Sequence, residues 1–323
     1  MAASRNKPSV DLPGRVGDFL AARLAPDESV CVGLSGGCDS VVLLHLTSRL
    51  GFTGRLSAIH VHHGLSPNAD RWSDFCTNYC ANLGIPLIKQ KVTVDRKNGQ
   101  GLEAAARQAR YAAFTDCAAD CLLLAQHRGD QAETLLFNLL RGTGVTGAAA
   151  MPAERRHGNL RLLRPLLDIS RTEIEAYARA NTLTWIEDES NADLSLTRNY
   201  LRHQTLPELT QRFPAAESAL NQAAANFAEA ATLLDELAEH DWRLADDAGA
   251  ARLSILRRMS LPRLKNLLRY RLRQLGWRVP VAARLDEFAH QLQTAGPDRH
   301  PELVLPEGKM RSALGQLHWL KQK

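Results

Sequence analysis

The hydrophobic and polar positions of this chain fall into two regimes. Through the first half, short apolar runs alternate with amphipathic stretches. Residues 29–34, 56–62, 87–94 and 121–125 read as buried strands. Residues 41–50, 72–83, 102–117 and 131–140 between them repeat their apolar positions at helical spacing. Short apolar strands separated by helices predict an α/β fold: a doubly wound parallel sheet covered on both faces. Ligands of such sheets bind beyond the carboxyl ends of the strands. Near Phe213-Pro214 the style changes, and residues 215–244 and 264–275 read as long helices with few breakers. The expectation is a first domain over residues 1–212 and a second, mostly α-helical domain over residues 213–323.

Composition changes this picture little. A chain of 323 residues with 45% hydrophobic content can bury two cores, and no apolar run is long enough for a membrane span. The first sixteen residues carry charges and prolines but no apolar signal region, so a cytosolic protein is expected. The net charge of +5 is a weak guide to partners, but its distribution says more. Residues 252–284 hold ten basic side chains and no acid, including Arg257, Arg258, Arg263, Lys265, Arg269, Arg271, Arg273 and Arg278. Such a stripe suits a phosphate backbone, and equally a solvated helix face.

The strongest local signal is Ser35-Gly36-Gly37-Cys38-Asp39-Ser40, between the first strand and the first helix. Two glycines let backbone N–H groups approach a ligand, and the following helix points its positive end there. Ser35 and Ser40 can donate to phosphate oxygens. Bare phosphate would repel Asp39, whose place is beside a Mg²⁺ that bridges phosphates. The chain lacks the GxxxxGK pattern of the standard P-loop.

Other residues gather at strand ends. His62, His63 and His127 each follow a strand and suggest one shared site. Asp130 and Glu133 lie three apart at a helix start. They could hold Mg²⁺ or the ammonium of an incoming amine, or simply cap the helix. Arg107 and Arg110 could clamp phosphate or pair with acids. Arg141, beside Gly142 and Gly144, reads as a phosphate-contacting loop. Asp188 and Asn191 precede Arg198 and Arg202 in a polar segment that also reads as a charged turn. The six cysteines all lie in the first half. Cys76 and Cys80, with Cys117 and Cys121, have spacing tolerable for zinc, but their apolar flanks favour buried thiols. The absence of a CxxC pair argues against an iron–sulfur tRNA thiolase.

The hexapeptide SGGCDS resembles the SGGxDS signature of the PP-loop ATP pyrophosphatases, whose fold is of the adenine nucleotide alpha hydrolase type. Further segments narrow the resemblance to the lysidine synthetase family. They are His60-Val61-His62-His63-Gly64-Leu65, the run from Glu103 to Tyr111, Ala125-Gln126-His127-Arg128-Gly129-Asp130-Gln131-Ala132-Glu133-Thr134, Arg141-Gly142-Thr143-Gly144, Arg164-Pro165-Leu166-Leu167, Glu187-Asp188-Glu189-Ser190-Asn191, and Thr197-Arg198-Asn199-Tyr200-Leu201-Arg202. Many members carry two consecutive acids where this chain has Gly129-Asp130. The resemblance implies ATP as cofactor with Mg²⁺ at Asp39, and free L-lysine and isoleucine tRNA with a CAU anticodon as substrates. It implies Ser35 to Ser40 as the ATP site and Asp39, Arg107, Asp130 and Glu133 as catalytic residues, with His63, His127 and Arg141 at the site's edge. It implies tRNA contacts from Arg198, Arg202, Arg257, Arg258, Lys265 and Arg269. Two rivals remain: a small-molecule PP-loop synthetase, which would not need a basic helical domain, and a non-catalytic RNA-binding protein, which would not need Asp39, Asp130 and Glu133 together. The oligomeric state stays open, a homodimer being one candidate.

Overall fold

The structure, a computed structural model, describes residues 11–52, 55–64, 66–93, 102–189, 193–296 and 298–322. Of the motifs above, Leu65, Ser190, Asn191 and the side chain of Glu103 lie outside the described residues. The chain divides into two compact units, Met1–Ala228 and Glu229–Lys323.

The first unit runs α1 (Leu12–Ala21), β1 (Val30–Gly33), α2 (Cys38–Ser48), β2 (Leu56–His62), α3 (Ala69–Leu83), β3 (Leu87–Lys91), α4 (Leu102–Phe114), β4 (Cys121–Leu123), α5 (Arg128–Leu140) and α6 (Val145–Ala148). There follow β5 (Glu154–His157), β6 (Leu160–Leu163), α7 (Arg171–Ala180), α8 (Thr197–Tyr200), a π-helical turn at Leu201–Thr205, α9 (Leu206–Arg212) and the start of α10 (Ala216–Ala245). The sheet order is β3-β2-β1-β4-β6-β5. All neighbours pair parallel except β5, which returns antiparallel on the edge of β6. Strand order reverses at β1, whose two neighbours are β2 and β4, and the crevice beyond such a switch point is where ligands bind.

Each face of this sheet has its own core. Leu12, Val16 and Leu20 of α1, the apolar run of α2, Cys76 and Cys80 of α3, and Ile174 and Ala178 of α7 cover one side. Tyr111 and Phe114 of α4 cover the other, with Ile59, Leu122 and Leu162 from the strands. α2 is apolar nearly all round because it is buried nearly all round, with Val41, Val42, Leu43 and Leu44 fully enclosed. The first turns of α10 pack Leu220, Ala223, Ala224 and Phe227 on Leu135 and Ala148. The compact division therefore falls inside α10 rather than at the composition change near Phe213-Pro214.

The second unit holds the remainder of α10, then β7 (Asp246–Asp247), β8 (Ala250–Arg252), α11 (Leu253–Leu256), α12 (Leu261–Gln274), α13 (Ala282–Thr294), β9 (Glu302–Leu305), β10 (Gly308–Ala313) and β11 (Gln316–Lys321). Helices fill much of it, as the pattern predicts. It also carries a five-stranded antiparallel sheet, β7-β8-β11-β10-β9, which the helical reading of this half left out. The physical reason lies in period-2 burial over strands of two to six residues, too short to stand out beside the helices. β9 buries Leu303 and Leu305 and exposes Glu302 and Val304. Leu314 and Gly315 both have positive φ, which matches the tight hairpin turn joining β10 to β11.

Candidate active site

The turn after β1 is braced by its own hydroxyls. Ser40 Oγ donates to the Gly37 carbonyl at 2.9 Å and lies 3.1 Å from Ser35 Oγ, which accepts from the Gly37 amide at 3.3 Å. Gly36 sits at φ +91°, where a side chain is strained. A Cβ there would also stand 2.9 Å from Ile186 Cδ1, because the Ile186 amide donates to the Gly36 carbonyl at 2.9 Å. The segment after α7 is thus strapped across the turn. Gly37 caps α2 in an extended conformation without a side-chain hydrogen bond to the first turn. The opening amides of α2 are left to a ligand, as an anion site requires. Burial pushes the Cys38 thiol up to about 11, so it is no nucleophile near neutral pH.

Asp39 stands in the first turn of α2. One of its oxygens pairs with Arg171 at the start of α7, a partner that no local pattern announces. The other, Oδ1, is buried and without a hydrogen-bond partner. Burial raises the carboxyl pKa above its ordinary value, opposed by His127 and Arg171 and aided by Asp130. A buried carboxylate oxygen lacking a donor, beside a phosphate-binding turn, fits Mg²⁺. That ion is commonly held by one or two carboxylates together with nucleotide phosphates. Among the described residues no three His, Cys, Asp or Glu side chains converge into a metal cage.

α5 opens at the carboxyl end of β4 with a reciprocal cap. His127 Nδ1 accepts from the Gly129 amide at 3.0 Å, and Asp130 Oδ2 accepts from the His127 amide at 3.0 Å. With Nδ1 engaged as acceptor, the ring proton of neutral His127 sits on Nε2. A Cβ on Gly129 would stand 2.8 Å from His127 Cε1, so glycine is what lets the imidazole lie against the helix start. Asp130 and Glu133 face one way, as spacing predicts, and share Arg202. Arg202 Nε donates to Glu133 Oε1 at 2.6 Å, and Nη2 donates to Glu133 Oε2 at 2.9 Å and Asp130 Oδ1 at 2.8 Å. Glu133 is 2% exposed. Burial raises its pKa, with Arg202 acting against the rise and Asp130 adding to it. Arg202, expected to face RNA, is instead the cation of this carboxylate pair, delivered by the π-helical turn.

Other expected residues disperse. His62 bonds Asp70 at 3.0 Å, and His63 Nε2 accepts from Arg110 at 3.3 Å. Burial holds His63 down to about 4, so it is neutral. Among the described residues these two share no partner with His127. His60 is a core histidine, its Nδ1 2.9 Å from the Leu34 carbonyl. Arg107 lies over the Tyr111 ring. Arg141 and Arg198 both lie over Phe137, and Arg141 caps the far end of α5. That is roughly 20 Å along the helix from His127 at 1.5 Å per residue. All six thiols are buried and unbridged.

The profile of the PP-loop domain matches residues 11–209, and that of the TilS substrate binding domain matches residues 252–318. The tRNA(Ile)-lysidine synthase of Alkalilimnicola ehrlichii is 45% identical over 93% of this chain and 68% of its own length. The enzyme of that name from Nitrosomonas europaea is 42% identical over 99% of this chain and 71% of its own. The chain belongs to the tRNA(Ile)-lysidine synthase family. The U34-tRNA thiolase NcsA of Methanococcus maripaludis, solved with its 4Fe-4S cluster, shares the fold, with a TM-score of 0.56 at 17% identity over 68% of this chain and 78% of that one.

The basic stripe lies within the match to the family's substrate binding domain, and much of it is neutralised there. Arg263 Nε bonds Asp241 at 2.7 Å, Lys265 bonds Asp286 at 2.8 Å, and Arg273 pairs with Asp235. Arg278 reaches Glu307 at 3.3 Å, and Arg257 donates to the carbonyls of Leu292 and Ala295. Arg271 is stacked 3.6 Å over Trp242. Among the described residues Arg258 and Arg269 have no side-chain hydrogen bond or ion pair. The expected RNA contacts Arg257 and Lys265 are thus engaged within the protein, and Arg258 and Arg269 are not.

Proposed function

We propose that this protein joins free L-lysine to C2 of the wobble cytidine in isoleucine tRNA bearing a CAU anticodon, with ATP as the activating cosubstrate. ATP binds on the amides of residues 36–39. Asp39 would hold Mg²⁺ through its unpartnered Oδ1, and the ion would neutralise charge on the phosphates. The C2 carbonyl oxygen attacks the α-phosphate, pyrophosphate leaves, and an adenylated base remains. The lysine ε-amine then attacks C2, and AMP departs with the former carbonyl oxygen. The target base must leave its stack to reach these groups.

The chain's own residues supply placement and charge. The turn fixes donors where phosphate charge builds. Asp130 and Glu133 receive the ammonium of lysine, and one of them takes the proton that the amine must lose before it attacks. Arg202 keeps the two carboxylates together until a second cation arrives. The observation that carries this reading is the pair of buried Glu133 and half-buried Asp130, gripped by one guanidinium and within electrostatic reach of Asp39. The proposed catalytic residues all fall within residues 1–212, and residues 213–323 are assigned a share in holding the RNA.

The test is direct. Incubation with ATP, labelled lysine and CAU isoleucine tRNA is expected to put label into RNA with release of AMP and pyrophosphate. Labelling of no RNA, or label transfer without ATP, overturns the reading.

A further inference from the structure

Three arginines gather around Tyr111, and among the described residues no acid balances them. Arg107 of α4 lies 4.9 Å from the ring centroid and Arg155 of β5 lies 4.7 Å from it. Arg164, just after β6, is 1% exposed and donates to Gln126 Oε1 at 3.1 Å and to the Pro152 carbonyl at 2.7 Å. Among the described residues no carboxylate reaches any of the three. Arg155 Nε is buried and has no hydrogen-bond partner. Burial pushes the Arg164 pKa below its ordinary value, and Arg155 and Arg107 add to the push.

A buried cation without a counter-charge is costly, and a guanidinium stays charged at any physiological pH. Two further guanidiniums beside it raise that cost. Stacking on Tyr111 offsets part of it but leaves the net charge standing. The arrangement is relieved by an anion with several acceptor oxygens, which planar forks of donors match best.

Place decides which anion. The cluster stands at the β6 and β5 side of the sheet, while the ATP turn follows β1. The strand order β1-β4-β6 separates them by two strand spacings, roughly 10 Å. The ATP phosphates are already served by the turn and α2. Between the two places, beyond the carboxyl end of β4, lie Gln126 and His127, so a base extruded from its stack towards the nucleotide would pass beside the arginines.

We propose that Arg107, Arg155 and Arg164 form a phosphate site for the RNA backbone next to the extruded nucleotide, with Arg155 as the arm whose free Nε closes on the phosphate. The inference rests on the RNA-modifying reading above and adds to it the place where the first unit grips its RNA. Arg164 supplies fixed charge from beneath. The site positions the strand and reads no base.

The experiment uses the full chain as wild type, Arg155→Ala and Arg155→Lys. Affinity for CAU isoleucine tRNA is measured across a salt series, beside the KM for ATP, inhibition by inorganic pyrophosphate, and thermal stability. The expected result for Arg155→Ala is about tenfold weaker tRNA binding at about 0.1 M salt, with a log–log slope shallower by about 0.7 to 0.9. The KM for ATP and the melting temperature stay at wild-type values. Arg155→Lys restores the slope but only part of the affinity, because a point charge replaces the fork. An unchanged tRNA affinity and slope in Arg155→Ala overturns the proposal. So does a raised KM for ATP or weakened pyrophosphate inhibition with tRNA binding intact, which would give the arginines to the nucleotide. A wild type that binds tRNA with these dependences but incorporates no lysine counts against the proposed reaction and leaves the phosphate site standing.

Discussion

Two groups of arginines, one in each unit, meet opposite fates. In the second unit ten basic residues crowd one stretch of sequence, yet Arg263, Lys265, Arg273 and Arg278 each find a carboxylate supplied from outside that stretch. In the first unit Arg107, Arg155 and Arg164 are scattered along the chain and come together around one tyrosine, with no acid beside them among the described residues. Charge counted along a sequence therefore overstates the first kind of region and misses the second. What an RNA phosphate meets is the charge left over after the fold has paired what it can.

The largest test of that contrast removes charge where chemistry is proposed rather than where RNA is. Asp39→Asn is expected to cut turnover at least about a hundredfold, on the scale of losing one electrostatic stabiliser in an active site. tRNA affinity should stay within about twofold of wild type, since the proposed phosphate contacts lie elsewhere. A variant that turns over at the wild-type rate removes Asp39 from the mechanism.

Glu133→Gln comes next. It keeps the shape of the side chain and removes one charge facing Arg202, so the KM for lysine is expected to rise about tenfold, with the KM for ATP unchanged. Stability gives a second reading. Burial lifts the Glu133 carboxyl above its ordinary 4.5, so the folded state favours the protonated form. Its contribution is full below the unfolded value and is lost as pH rises through the raised folded value. Melting temperature followed from below 4.5 upward should fall through that window in wild type and less steeply in Glu133→Gln. Matching curves for the two proteins would show that Glu133 is not burial-shifted.

The smallest expected effect sharpens the comparison most. Replacing Arg258 and Arg269 with alanine should weaken tRNA binding and flatten the salt dependence by about 0.7 to 0.9 per lost contact. Replacing Arg263 and Arg273, which face Asp241 and Asp235, should lower thermal stability and leave the slope alone. If both pairs flatten the slope equally, internal pairing does not decide which charges RNA meets.

How far the sequence reached follows from the range of the forces involved. β1, β2 and β4, the helices between them and the glycine turn were legible because each is a local pattern of period or of turn chemistry. The pairing of Asp130 with Glu133 was legible because three residues on a helix fix a shared face. Arg171 was not, since its role depends on α7 packing against α2, which no local pattern encodes. Arg202 was read as an RNA contact for the same reason: its partners lie far away in sequence, and burial rather than composition chose them. The edge hairpin of β5 and β6 and the sheet of the second unit escaped because strands of two to six residues carry too few positions to establish a period.

The strap from Ile186 to Gly36 makes the order of assembly part of the enzyme's design. The glycine turn lies near the start of the chain, and the residue that holds its carbonyl is reached only after the last strand of the parallel sheet and α7 have been made. A newly synthesised β1 and α2 can pair and bury apolar surface, but the turn between them stays unfastened until that later segment docks. Contacts so distant along the chain close late, because the entropy of the intervening loop must be met first. The phosphate cradle is therefore finished only once the segment through Ile186 has docked, and a chain interrupted before Ile186 would fold its strands without it.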